Sequence, residues 1–257
     1  MLRRGPSAWS HLGRWDHALG VYEPGAWIRG NLYPQRCDLS PDGRWFCYLT
    51  LKAAAKWKAG QTYVAISRLP WLTALAAWGT CGTWTRGLHF VEDTSAWPLE
   101  APDEGDAGPC RRRFGVAVTT PAAFAVERRR GWTESPDSPP RAPGDVWDEA
   151  RAGELTMRKS RPQSEDTWLT VQGRFAAFRG SRPEPICYEI IRSGRPRPLD
   201  DVQWADWSAD GRLLVATTDG KLQVRDESAD RLDVVFEVNL NGYEPAPSPP
   251  PAEAHHW

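Results

Sequence analysis

The chain has 257 residues, with 32 Lys and Arg against 33 Asp and Glu and a net charge of −1. That length supports one sizeable core or two small ones. The near balance argues against a nucleic-acid binder, which usually carries a basic excess, and no apolar run reaches the length of a membrane-crossing helix.

Composition narrows the class further. The five cysteines are odd in number and have no C-x-x-C spacing, so they read as reduced, mostly buried thiols rather than a zinc site. The 22 Gly and 23 Pro, with aromatic and β-branched runs between them and 15 Trp, point to short strands joined by tight turns.

In chain order, the start "MLRRGPSAWSHLGRWDHALG" is basic, but His11, Arg14, Asp16 and His17 interrupt any apolar segment, which argues against a secretory signal and for a cytoplasmic protein. Residues 1–24 read as a separate aromatic segment. The stretch "CDLSPDGRWFCYLT" (37–50) then predicts a β-hairpin. Asp42-Gly43 supplies the positive φ that a tight turn needs, and Ser40 caps its N–H groups. The strand after the turn is apolar on both faces, which suits a strand covered on both sides. "QTYVAISRL" and "TALAAW" follow as further strands.

The middle of the chain offers "GTWTRGLHFV", "FGVAVTT" with "AAFAVERR", "ELTMRKS", "TWLTVQGRFAAFRG" and "ICYEIIRSG" as short strands. Two Gly- and Pro-rich insertions near 98–113 and 131–153 read as exposed loops, with a short helical turn at "DVWDEARAG". At 205–218 the opening phrase returns as "ADWSADGRLLVATT". Asp38, Ser40, Asp42, Gly43 and Arg44 recur as Asp206, Ser208, Asp210, Gly211 and Arg212. Asp219-Gly220 makes a second turn, Leu222 and Val224 alternate with polar residues, and "RLDVVFEVNL" completes a four-strand unit. Residues 244–257 form a Pro-rich tail, extended in character.

"LSPDGRWFCYL" and "WSADGRLLVATTDGKLQVRD" resemble blades of WD40-type or TolB-like β-propellers. Arg225-Asp226 stands where the Trp-Asp signature would be and the Gly-His pair is missing, so the likeness is to the broad class and covers two stretches of the chain. It implies an all-β fold of degenerate four-stranded blades over residues 25–243, with residues 1–24 closing the ring against the last blade. Gly43 and Gly211 lie about 170 residues apart, so at about 40–45 residues per blade the ring would have four or five. A β-sandwich with a duplicated hairpin is the rival architecture.

Catalytic signatures are lacking: there is no G-x-S-x-G elbow, Walker loop, dinucleotide phrase or H-E-x-x-H. His89, near Glu92 and Asp93, reads as a satisfied strand residue, and His255 and His256 lie in the tail. The turns at Asp42-Gly43 and Asp210-Gly211, one carboxylate each with Arg behind, read as structural and not as calcium loops, and Asp219-Gly220 reads as a further structural turn. No metal or cofactor is expected. Tryptophan and arginine dominate binding hot spots, so the candidate contact residues are Trp84, Arg86, Arg111, Arg112, Arg113, Arg128, Arg129, Trp132 and Trp147, while Trp45 and Trp204 or Trp207 read as packing residues. The expected function is a non-enzymatic scaffold, a monomer or a subunit of a bacterial hetero-complex, presenting these side chains to a partner protein. A carbohydrate- or small-ligand-binding propeller is the alternative, and a hydrolase on the same scaffold the third reading.

Overall fold

A computed structural model describes residues 2–4, 9–40, 43–51, 61–80, 88–90, 116–118, 125–136, 154–174, 187–228, 231–247 and 249–256. The protein is all-β. Its sheets are antiparallel, and among the described residues none closes on itself. The chain forms two compact units, residues 1–120 with 244–257, and residues 121–243.

In the first unit, β1 (Leu2–Arg4), β2 (Trp9–Asp16) and β3 (Val21–Arg29) make a sheet in that order. The strands among residues 2–4 and 9–24 pair within this sheet, and β3 runs through Pro24-Gly25, where the sequence suggests a boundary. Pro24 is tolerated because β3 is an edge strand and lies opposite Gly13, beside a register slip. Gly25 is required by close approach: a Cβ there would lie 2.1 Å from Pro70 O and 2.6 Å from Leu12 O. The neighbouring Ala26 N–H donates to that same Pro70 carbonyl at 3.0 Å.

The first copy of the phrase forms β5 (Asp38–Leu39) and β6 (Trp45–Leu51), joined in one sheet by β4 (Asn31–Leu32), β7 (Thr62–Arg68) and β8 (Ala76–Gly79). The apolar run of β6 is buried on both faces. Trp45, Cys47 and Leu49 pack with Val64, Ile66 and Phe90, while Phe46 and Tyr48 pack with Leu12, Tyr63 and Ala65. Each such side chain contributes about 1.5–3 kcal/mol of apolar burial, so this strand anchors two cores at once. Phe90 ends β9 (Leu88–Phe90), which pairs with β10 (Val116–Val118). The Pro-rich tail belongs to this unit: it ends in a 3-10 turn at Ala252–His255 whose Ala254 is fully buried.

The second unit starts with α1 (Ala125–Arg129), not with the strand expected of "AAFAVERR". Ala, Glu and Arg favour a helix, and Gly131, at φ +87°, ends it in the left-handed conformation. A five-stranded sheet follows, β11 (Thr133–Glu134), β12 (Glu154–Ser160), β13 (Thr167–Arg174), β14 (Cys187–Arg192) and β15 (Arg195–Pro198), each paired with the next. The second copy of the phrase builds a four-stranded meander, β16 (Val202–Trp207), β17 (Leu213–Thr217), β18 (Lys221–Ser228) and β19 (Arg231–Asn239). One core joins the two sheets, with Met157, Leu169, Val171, Tyr188 and Ile190 from the first and Ala205, Trp207, Leu213 and Val215 from the second.

Polar contacts lock these two sheets at the rim of that core. Lys159 Nζ meets Asp206 Oδ1 at 2.6 Å, and the Trp207 indole N–H donates to Lys159 O at 3.3 Å. Arg161 donates from Nε to Gly211 O at 2.8 Å and from Nη1 to Glu227 Oε2 at 3.0 Å. Trp207 therefore packs between sheets, the packing role expected of at least one of Trp204 and Trp207.

Candidate functional site

Of the residues singled out for partner contact, Trp84, Arg86, Arg111, Arg112, Arg113 and Trp147 lie outside the described residues, as do Asp42 and the helical turn at 145–153. Arg128 and Arg129 sit on α1, where Arg128 pairs with Glu134 at 3.3 Å on the surface. Trp132 is buried at 3 % exposure in the core between the two sheets of the second unit. Its ring holds the β11 segment down and offers no surface for a partner. The reason is local: Gly131 turns the chain back at the end of α1, so the next residue points inward, and the Trp132 N–H donates to Glu127 O at 3.0 Å. Gly211 and Gly220 take φ +79° and +83°, and Gly43 takes +70°. Asp210 is held down to about 2 by the Arg212 guanidinium and the Ser208 hydroxyl. Among the described residues no group of three or more His, Cys, Asp or Glu could hold a metal ion, and no helix is long and apolar enough to cross a membrane.

The structure assembles a different site on the five-stranded sheet. Met157, Leu169 and Val171 point into the core. Strand alternation therefore sends Arg158, Trp168 and Thr170 to the opposite face, where Arg158 lies across from Thr170, and Trp168 across from Ile191. These side chains, with Ser135, Asp166, Ser193 and Gly194, line a cleft of about 300 Å³. Its floor carries a stacked pair: the Arg158 guanidinium carbon lies 4.4 Å from the centre of the Trp168 ring. An arginine over an indole face is an attractive cation–π arrangement that also fixes the orientation of both groups.

One wall of the cleft is a turn held in an uncommon conformation. Ser193 and Gly194 form the two-residue connection of β14 and β15, with φ +47° and +75°, the geometry of a type I′ hairpin. A left-handed Ser costs about 1 kcal/mol, and Asp166 offsets that by gripping the turn. The Ser193 Oγ–H donates to Asp166 Oδ2 at 2.7 Å and its N–H to Asp166 O at 2.9 Å. Ser164 and Thr167 hydroxyls also donate to Asp166 Oδ1, at 2.9 and 3.0 Å. Led by the Ser193 bond, these donors hold the Asp166 carboxyl down to about 2. Asp166 is thus an ionised clamp that accepts from three hydroxyls. The Thr170 hydroxyl is spent on Glu189 O at 3.3 Å.

What remains unspent in the cleft is donor capacity. Among the described residues the guanidinium of Arg158 makes no ion pair or hydrogen bond, and its Nε is covered and unbonded. The Trp168 indole N–H likewise has no partner among the described residues. The sequence does not announce this site because its residues are drawn from three strands, two turns and the residue after β11. The usable signals were the alternation of "TMRKS" against "TWLTV", which puts Arg158 and Trp168 on one face, and the two-residue Ser-Gly turn.

Comparison of the chain with protein-family models finds no match, and comparison with curated proteins finds none either.

Proposed function

We propose that the chain is a repeat protein of the β-propeller class that serves as an interaction module, binding a partner protein through the cleft on the face of β12–β15. Two observations favour blades over a sandwich. In the five-stranded sheet β11–β15 and in the four-stranded sheet of the second copy, strands adjacent in sequence are adjacent in space, without the crossovers of a Greek key, and in the sheet of the first copy β6, β7 and β8 follow in order while β4 and β5 both pair with β6. In both copies the first Asp of the phrase tethers its hairpin to a strand of another sheet. Asp38 Oδ2 accepts from the Phe90 N–H at 2.9 Å, and Asp206 Oδ1 accepts from Lys159.

The binding role rests on the Arg158–Trp168 pair. Arg and Trp are enriched among residues that dominate interface energies, because they combine large area with directional donors. Here they are pre-oriented by their mutual contact, set in a concavity, and without hydrogen-bond partners among the described residues. Pre-orientation lowers the ordering cost of association.

The test is affinity capture from the source organism's lysate with wild-type protein and with Arg158→Glu, read by quantitative mass spectrometry. The expected result is a protein recovered in stoichiometric amount with wild type and reduced at least about tenfold with the variant, in line with hot-spot losses. Equal recovery by both proteins would overturn the assignment of the cleft.

A further inference from the structure

We propose that the Arg158–Trp168 cleft recognises a single carboxylate, presented by an acidic peptide segment of the partner. The inference rests on the interaction-module reading above and names the chemistry of that site. Arg and the Trp indole can donate hydrogen bonds and cannot accept them, and among the described residues these two groups of the cleft have no hydrogen-bond partner. The occupant must therefore bring acceptors. With Nε covered, the guanidinium meets it through Nη1 and Nη2, the end of a planar fork that matches the two oxygens of a carboxylate.

The same cleft discriminates against more highly charged anions. Asp166 lines it as an ionised carboxylate held by three hydroxyls. Glu189 lies in the same cross-strand row as Arg158, one strand beyond Thr170. Arg158, and Arg192 near Asp166, are balanced by Asp166 and Glu189, which leaves no surplus of positive charge for a phosphate dianion or a nucleic-acid backbone, whereas a monoanion is matched at close range by Arg158. Ile191 supplies an apolar wall for the methylene stem of a Glu or Asp side chain or for the peptide beside a chain terminus.

Titration of ¹⁵N-labelled protein with short peptides tests this. The arms are Ac-Gly-Glu-Gly-NH₂ (side-chain carboxylate) with its Gln counterpart, Ac-Gly-Gly-Gly-OH (terminal carboxylate) with its amide, and inorganic phosphate. The expected result is saturable movement of the Trp168 indole N–H resonance, assigned through Trp168→Phe, with one or both carboxylate peptides. The amides and phosphate should bind at least tenfold more weakly, and Arg158→Lys, which keeps the charge and loses the fork, should weaken the carboxylate about tenfold. Equal response to carboxylate and amide, preference for phosphate, or full binding by Arg158→Lys would each overturn the proposal. Carboxylate binding with partner capture unaffected by Arg158→Glu would sustain the carboxylate site and sink the partner assignment. Capture lost in Arg158→Glu without peptide carboxylate binding would do the reverse.

Discussion

The hairpins at 38–51 and 205–217 carry the same D-x-S-x-D-G-R phrase, and they close differently. Both begin with the same turn, in which the Gly N–H donates to the Ser carbonyl: Gly43 to Ser40 at 2.9 Å, Gly211 to Ser208 at 3.0 Å. In the second copy pairing resumes at once, with the Ser208 N–H donating to Arg212 O. That is the three-residue loop in which a left-handed Gly ends a type I turn. In the first copy it resumes one residue later, at Trp45 O, and the Arg44 carbonyl accepts instead from the Leu69 N–H of the other flank. A one-residue change in register exchanges the two faces of a strand. Leu39 therefore lies opposite Phe46 and packs into that side's core, while its counterpart Trp207 lies opposite Leu213 and packs into the core between sheets. The strand after the turn is unaffected, and Trp45 and Cys47 match Leu213 and Val215 face for face.

That comparison can be broken at its root. Inserting one Gly after Gly211 gives the second loop the length of the first and drives Trp207 off the core face. The loss of a buried Trp should cost about 3–5 kcal/mol, measured by urea unfolding. The same insertion after Gly43 should be far milder, and equal effects would show that loop length does not set the register.

The tethering aspartates come next. Asp206→Ala leaves Lys159, at 19 % side-chain exposure, without its carboxylate. Removing one partner from a largely buried pair should cost about 3 kcal/mol. Asp38→Ala leaves the Leu39 and Phe90 N–H groups without that acceptor, and neutral orphaned donors should cost about 1–2 kcal/mol. A larger loss at Asp38 than at Asp206 would reverse the ranking of charge over dipole.

The turn glycines should differ more modestly. Alanine at a left-handed position costs about 1–2 kcal/mol. At Gly43 its Cβ would meet nothing within 4 Å, whereas at Gly211 it would lie 3.3 Å from Arg161 Nε and 3.4 Å from Pro162 O. Gly211→Ala should therefore be the more destabilising by roughly 1 kcal/mol, since it also disturbs the Arg161 clamp on the same carbonyl.

The smallest expected effect is on acid stability. Asp166 and Asp210 both have folded values of about 2, below the ordinary Asp range. Their ionised forms favour the fold, so their contribution is present above about pH 4 and is lost as the pH falls through about 2. Asp166→Asn with Asp210→Asn should flatten the loss of stability between those values. An unchanged acid limb would mean that these exposed carboxylates do not report on folding.

Much of this architecture was legible because its signals are local. Asp219-Gly220 marks a turn from its own φ preference. The apolar runs of β6 and β17 declare burial on both faces, and "ELTMRKS" and "TWLTVQGR" are strands by propensity and alternation. Other features were not, because they depend on what lies across the sheet. Trp132 looks like a surface aromatic among loop residues, yet a left-handed Gly131 folds it inward. Pro24-Gly25 looks like a boundary, yet an edge strand tolerates the Pro and a neighbouring carbonyl requires the Gly. The recurrence of Asp38 as Asp206 is visible in the text, but nothing local says that each reaches a different sheet.

Sequence alone determined the turns, the strand periodicity and the doubly buried strands, since each follows from the conformational and solvation preferences of consecutive residues. Tertiary structure decided the hairpin register, the inward turn of Trp132 and the cleft at Arg158. Those depend on which distant backbone or side-chain groups meet, and a hydrogen bond or a one-residue shift between strands is settled only when both partners are in place.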